Sequence, residues 1–205
     1  MKKFGAWAVA IGLVLVSGSV LAGEAKIMRL SGEAFIANAD GIQRVKPGTV
    51  VGAGDMVMTR EGCQLDLSVN GQAGCRMLPN TTAAIASTKS DGMKILVAEG
   101  NVVLNIKKLE AGQKFTVDTP TAVAAVRGTQ FWGRVTDSQA GSTVTTFAVR
   151  EGSVEILSKA TNQSVTVNAG QAVDLDAGAK QPALRPALQE ELAAMAVADD
   201  IAITA

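Results

Sequence analysis

The chain has 205 residues, with 19 basic side chains against 19 acidic ones, 21 glycines, no histidine and no tyrosine. That length holds one domain, or one domain with a terminal appendage, and the balanced charge offers no field to attract nucleic acid or an anionic membrane. Without histidine the commonest general base and the commonest metal ligand are missing, which excludes hydrolases of the Ser-His-Asp and Cys-His kinds.

In chain order, Lys2 and Lys3 form a positive start, Phe4 to Val16 an apolar run, and Ser17-Gly18-Ser19 a break before Val20-Leu21-Ala22. Small residues there suit a signal peptidase, so residues 1–22 are expected to be a cleaved signal peptide and the product periplasmic, with no membrane span. The alternative is an uncleaved anchor, because the uncharged run from Phe4 to Gly23 is long enough to cross a bilayer. Loss of Lys2 and Lys3 would leave 17 basic side chains against 19 acidic. Cys63 and Cys75 fit export. A pair at this spacing in an oxidising compartment is expected to form a structural disulfide, adding about 2–4 kcal/mol.

From Ile27 to Leu175 short β-type segments alternate with Gly, Asn and Asp. Leu65-Asp66-Leu67-Ser68-Val69 and Val165-Thr166-Val167 have period two, and Asn70-Gly71 is a turn signal. A repeat emerges when Gly32-Glu33-Ala34-Phe35-Ile36, Gly100-Asn101-Val102-Val103-Leu104 and Gly152-Ser153-Val154-Glu155-Ile156 are aligned. Each is followed by a Pro-Gly or Ala-Gly element, at Pro47-Gly48, Ala111-Gly112 and Ala169-Gly170. The pattern predicts a recurring hairpin, and the fold class is all-β: a jelly-roll-like antiparallel β-sandwich over residues 27–177. The glycines serve positive φ or close approach, since none opens a predicted helix that could cradle phosphate. In the tail, 182–205, Pro182 and Pro186 bracket a break. A short amphipathic helix over Ala187 to Ala198 follows, with Leu188, Leu192, Met195 and either Val197 or Ala196 on one face. It packs on the sandwich, frays, or docks a partner.

The central stretch Thr119-Pro120, then Val126-Arg127-Gly128-Thr129 and Phe131, resembles the signature of the FecR-domain family of exported bacterial proteins. Gly54-Asp55-Met56-Val57-Met58-Thr59, Pro79-Asn80-Thr81, Val149 to Val154 and Gly170-Gln171 are similar to the family's flanking elements, in order. The resemblance implies an extracytoplasmic jelly-roll-like β-sandwich without catalytic activity, and no cofactor is expected. The regulators that give the family its name sense a loaded outer-membrane iron transporter and signal through a membrane helix to a sigma factor. Here only Met1-Lys2-Lys3 precede the apolar run, so a stand-alone exported module is expected rather than a direct anti-sigma regulator.

Alternation assigns roles within this stretch. Val126 and Phe131 are expected to point inward with a kink at Gly128 between them, Thr129 bonding the freed backbone and Pro120 at a strand start or edge. Arg127 is read as a structural clamp on Asp118, Glu99 or Glu151. Trp132 then faces outward with Arg134 beside it, and these two are the interaction candidates; the alternative is that the C-terminal helix or a neighbouring loop covers Trp132. No metal site is expected, because no acidic loop has EF-hand spacing. The leading function is a protein-interaction module, an adaptor or assembly factor of the envelope, with self-association through a sheet edge as a further possibility. The alternative is binding of an envelope polymer, peptidoglycan or exopolysaccharide, which the shortage of aromatic side chains disfavours.

Overall fold

The computed structural model describes residues 24–89, 91–137, 141–178 and 181–204. The expected signal peptide, 1–22, lies outside the described residues. Alternating apolar and polar residues give strands with one face inward, and glycine or asparagine turns separate them. The chain starts with β1 (Ala25–Ser31), the hairpin β2 (Ala34–Asn38) and β3 (Gly41–Arg44), then β4 (Val50–Val51) and β5 (Met56–Thr59). There follow the hairpin β6 (Gln64–Val69) and β7 (Ala73–Met77), then β8 (Thr82–Ser87) and the long β9 (Met93–Ile106). Four hairpin pairs complete the strands: β10 (Phe115–Asp118) with β11 (Ala122–Val126), β12 (Gln130–Asp137) with β13 (Thr143–Glu151), β14 (Ser153–Ser158) with β15 (Ser164–Asn168), and β16 (Gln171–Asp176) with β17 (Ala183–Pro186).

Pairing sorts the strands into two sheets that share β9. Sheet A runs β4-β1-β6-β7-β9-β12-β13-β16-β17. Sheet B runs β3-β2-β5-β8-β9-β10-β11-β14-β15. All pairings are antiparallel except β9 with β10, which is parallel. The first half of β9 pairs with β8 and β10, and the second, from Gly100 on, with β7 and β12. One buried cluster draws Leu67, Phe131 and Phe147 from sheet A and Ile85, Phe115 and Ile156 from sheet B. The fold is thus all-β with one short C-terminal helix, as the sequence pattern predicts.

The repeated glycines stand where the chain changes sheet. Gly32 lies between β1 in sheet A and β2 in sheet B, Gly100 inside β9, and Gly152 between β13 and β14, with φ of 92°, 91° and 81°. At each, a neighbouring crossing segment leaves no room for a side chain. A Cβ would stand 2.9 Å from the Cys63 Cα at Gly32, 2.5 Å from the Thr81 Cα at Gly100, and 2.5 Å from a Thr129 methyl at Gly152. Both reasons for glycine operate at once, conformation and close approach. The hairpin predicted after each glycine forms as β2–β3 and β14–β15. After Gly100 the chain instead continues β9 into sheet A and returns to sheet B only beyond Gly112.

The expected Cys63–Cys75 disulfide is not formed; both thiols are free and buried. The reason is register. Asn70 and Gly71, both at positive φ, turn β6 into β7 so that Leu67 faces Cys75 and Leu65 faces Met77. Cys63 is four residues beyond Leu67, about 13 Å along the strand, whereas a disulfide needs Cα atoms within about 7 Å. Each cysteine packs as a small apolar residue of the core. Burial pushes the Cys75 thiol up to about 12 and raises that of Cys63 as well.

Candidate interaction surfaces

The stretch from Thr119 to Phe131 is a corner between sheets. Thr119 closes the tight turn into β11: its N–H donates to the Ala122 carbonyl, and its hydroxyl accepts the Ala122 N–H. A chain of buried hydroxyls then ties this turn of sheet B to β13 of sheet A. Thr121 Oγ1 lies 2.6 Å from Thr145 Oγ1, which lies 2.9 Å from Thr119 Oγ1. Pro120 is exposed at the turn, where no ladder bond needs its missing N–H. Val126 and Phe131 are both buried in the core. The kink between them is at Gly128, φ 129°, where a Cβ would be 3.0 Å from the Lys108 Cα, followed by a register shift at Gln130–Phe131. The Thr129 backbone makes reciprocal bonds with Ile106. Its hydroxyl, expected to bond the freed backbone, has no partner among the described residues.

Arg127 is not the expected clamp. Its side chain is exposed and makes no ion pair or hydrogen bond among the described residues; it lines a shallow groove with Lys114, Thr116, Ala125 and Glu155. Of its expected partners, Asp118 is taken by Lys94 and Lys159, and Glu99 accepts from Thr82.

Trp132 faces outward from sheet A as alternation requires, but it is only 6% exposed. It is therefore not an exposed contact residue. The C-terminal segment covers it: α1 (Gln189–Ala194), a 3₁₀ turn Met195–Asp200, and residues 201–204 form a strap running across the strands. Strand register prepares its bed. Arg185, Ala172, Ala148, Trp132, Val103, Arg76, Asp66 and Arg29 stand directly side by side from β17 to β1. Small residues lie under the helix, and Met195, Ala198 and Ile201 pack on Trp132, Val103, Ala148 and Ala172.

Polar contacts fix the strap along its length. Arg185 joins Asp174 and Glu191, and Glu191 also accepts the Leu188 N–H at the helix start. Arg150 pairs with Asp199 at 3.0 Å and Gln130 donates to the same carboxylate. Asn105 donates to the Ala198 carbonyl, and Ser68 to that of Ile203. The buried pair Arg76–Asp66, bidentate at 2.6 and 2.8 Å, lies beneath the far end, where the Ala202 N–H also reaches Asp66. Gly74 makes room, since a Cβ there would be 2.6 Å from the Ile201 side chain. The break expected between Pro182 and Pro186 is a strand, β17. The expected helix is one and a half turns of α1 before it tightens, with Met195 buried but Leu188 and Val197 exposed. Arg134 lies beyond the strap, exposed, in a polar groove with Asn80, Glu99, Asn101 and Asp137.

Sheet B carries no such cover among the described residues. On its outer face Ile42, Ala37, Met56, Ala84 and Leu96 stand side by side across β3, β2, β5, β8 and β9. Ile42 is 70% exposed, Met56 40% and Leu96 38%. A second row beside it holds Arg44, Phe35, Met58 and Thr82, with Arg60 over the Phe35 ring at 5.4 Å. Contiguous exposed apolar side chains of this kind mark interaction surfaces. Sequence reading passed over this face, although the Asn38–Gly41 turn sets Ile42 opposite Ala37 and could have pointed to it.

Comparison with known proteins agrees with this architecture. The FecR protein family matches residues 55–155, from the turn before β5 into β14. Two crystal structures of a candidate anti-sigma factor from Parabacteroides distasonis ATCC 8503 are similar in fold, with TM-scores of 0.58 and 0.57 and 15% identity in each. Both comparisons cover 68% of this chain but only 63% and 62% of those chains, so the present chain spans less than two-thirds of their length. No curated protein matches. The matched span contains the Thr119–Phe131 corner, both halves of β9 and the crossings at Gly100 and Gly152, and residues 55–155 are thereby a match to the FecR domain.

Proposed function

We propose that this protein is an exported, non-catalytic interaction module of the bacterial envelope, a periplasmic adaptor or assembly factor that binds a protein partner through the outer face of sheet B. The carrying observation is the row Ile42, Met56 and Leu96, apolar and covered by no described residue on one sheet while the strap occupies the other. The FecR match over residues 55–155 and the fold shared with a candidate anti-sigma factor support a regulatory or signalling role, and the pattern of residues 1–22 supports export. The buried carboxylates Asp66 and Glu191 are each engaged by an arginine, which suits structural rather than acid–base work. The polymer-binding alternative loses ground because Trp132 is covered, leaving the partly buried Phe35 as the aromatic of the open face.

The test is photo-crosslinking in cells from positions 42 and 96, with position 132 as the covered comparison. Repeated capture of one envelope protein from 42 and 96, and only self-adducts from 132, is the expected result. Capture of glycan without protein would overturn the adaptor reading in favour of polymer binding.

A further inference from the structure

Among the described residues four strand edges close the two sheets, and three are guarded. β4 is two residues long; β3 is four residues long and bounded by Asp40 and Arg44; β17 carries Arg185 and ends on Pro186. Short length, charge and proline are the devices that keep edges from pairing. β15, the remaining edge of sheet B, has none. It pairs with β14 on one side and with no strand on the other among the described residues. From Ala160 to Val173 the chain has no charged side chain at all.

The direction of the backbone groups follows from the bonds already made. Ser158 N–H donates to the Gln163 carbonyl and Ala169 N–H to the Gly152 carbonyl, so odd-numbered residues of β15 face β14. Ser164, Thr166 and Asn168 therefore turn their N–H and C=O groups outward. The Asn168 N–H bonds the Gln171 side chain, which leaves Ser164 and Thr166 as outward donors without a partner among the described residues.

We propose that β15 pairs antiparallel with β15 of a second copy of this chain, about a two-fold axis at Thr166. In that register Thr166 faces its own counterpart and Ser164 faces Asn168 of the second copy, so the Thr166 N–H meets the Thr166 carbonyl and the Ser164 N–H the Asn168 carbonyl, while the Asn168 N–H keeps its bond to Gln171. Val165, half-buried at the open end of the core, comes against Val167 of the second copy. A two-fold pairing sets this edge against itself, and an edge without charge brings no like charges together there. The pairing is independent of export and leaves the outer face of sheet B open.

The experiment is disulfide trapping in cells of the full chain carrying Ser164→Cys with Asn168→Cys, after addition of a mild oxidant. Gln43→Cys on β3 is the comparison. A dimer of twice the chain mass is expected from the β15 pair and not from position 43. Adding Thr166→Pro should cut the dimer about tenfold while the melting temperature stays unchanged, because the lost N–H points out of the sheet. No dimer from the β15 pair, equal trapping at position 43, a dimer indifferent to Thr166→Pro, or an adduct with a different protein would each overturn the proposal.

Discussion

Single residues in this fold are held by what stands next to them rather than by their own propensity. Gly100 is the clearest case, with a φ of 91° and the Thr81 backbone 2.5 Å from any added Cβ. Gly100→Ala should cost about 3 kcal/mol or more, as strain and clash together, and be measured as a drop in denaturant midpoint with unchanged slope. The cysteines give a second test. Both thiols should titrate after non-reducing denaturation and neither should react natively, because Cys75 is buried with its thiol pushed up to about 12. A result of no titratable thiol would restore the bridge. The disulfide expectation used the spacing of the pair and the compartment, but the Asn70-Gly71 turn held better information. A tight turn at 70–71 sets Leu67 against Cys75 and so keeps Cys63 four residues away. In the same way, alternation placed Trp132 on the outer face of its strand, but which element covers that face is a long-range fact. Nothing local to Trp132 names Met195 or Ile201.

Among elements, the strap is the one whose attachment is most exposed to solution conditions. The hydrogen bond from Gln130 and the pairing with Arg150 hold the Asp199 carboxyl below the ordinary carboxylate range. Burial would raise Asp174, but hydrogen bonds from Arg185 and Thr146 outweigh it and hold it low too. A depressed carboxylate contributes stability above the unfolded value, near about 4, and loses it as pH falls through the lower folded value. The strap should therefore stay docked through neutral pH and loosen in acid below about pH 4. Trp132 reports this directly. In a Trp7→Phe chain its emission should shift red on acidification, and Asp199→Asn should move that transition toward neutrality. Emission unchanged by acid until global unfolding would show that apolar packing alone holds the strap. The tail's character as a short helix was readable from its apolar spacing. The residues that anchor it were not, since Arg150, Asn105 and Ser68 come from strands far apart in sequence and meet only through sheet order.

At the scale of the whole molecule the two sheets have the same internal construction and opposite exteriors. Both alternate apolar and polar residues about one core, yet one outer face receives the chain's own end and the other is apolar and covered by no described residue. Sequence periodicity carries the shared part, because inward and outward positions alternate in every strand. It does not carry the difference, because a row across β3, β2, β5, β8 and β9 joins residues from 42 to 96 that only register brings together. If the faces act separately, removing the strap must change one without the other. Ending the chain at Ala194 takes away Met195, Ala198 and Ile201 and uncovers Trp132, Val103 and the Arg76–Asp66 pair. Loss of that burial should cost about 4 kcal/mol, from two large apolar side chains and their contacts. Dye binding to exposed apolar surface should rise, and Trp132 emission should shift red. Crosslinking from Leu96 should capture the same protein as in the intact chain, since no described residue of the strap is hydrogen-bonded or packed against the sheet B face. Loss of capture with the domain still folded would mean that the strap helps to form the binding surface, and the two faces would then have to be treated as one.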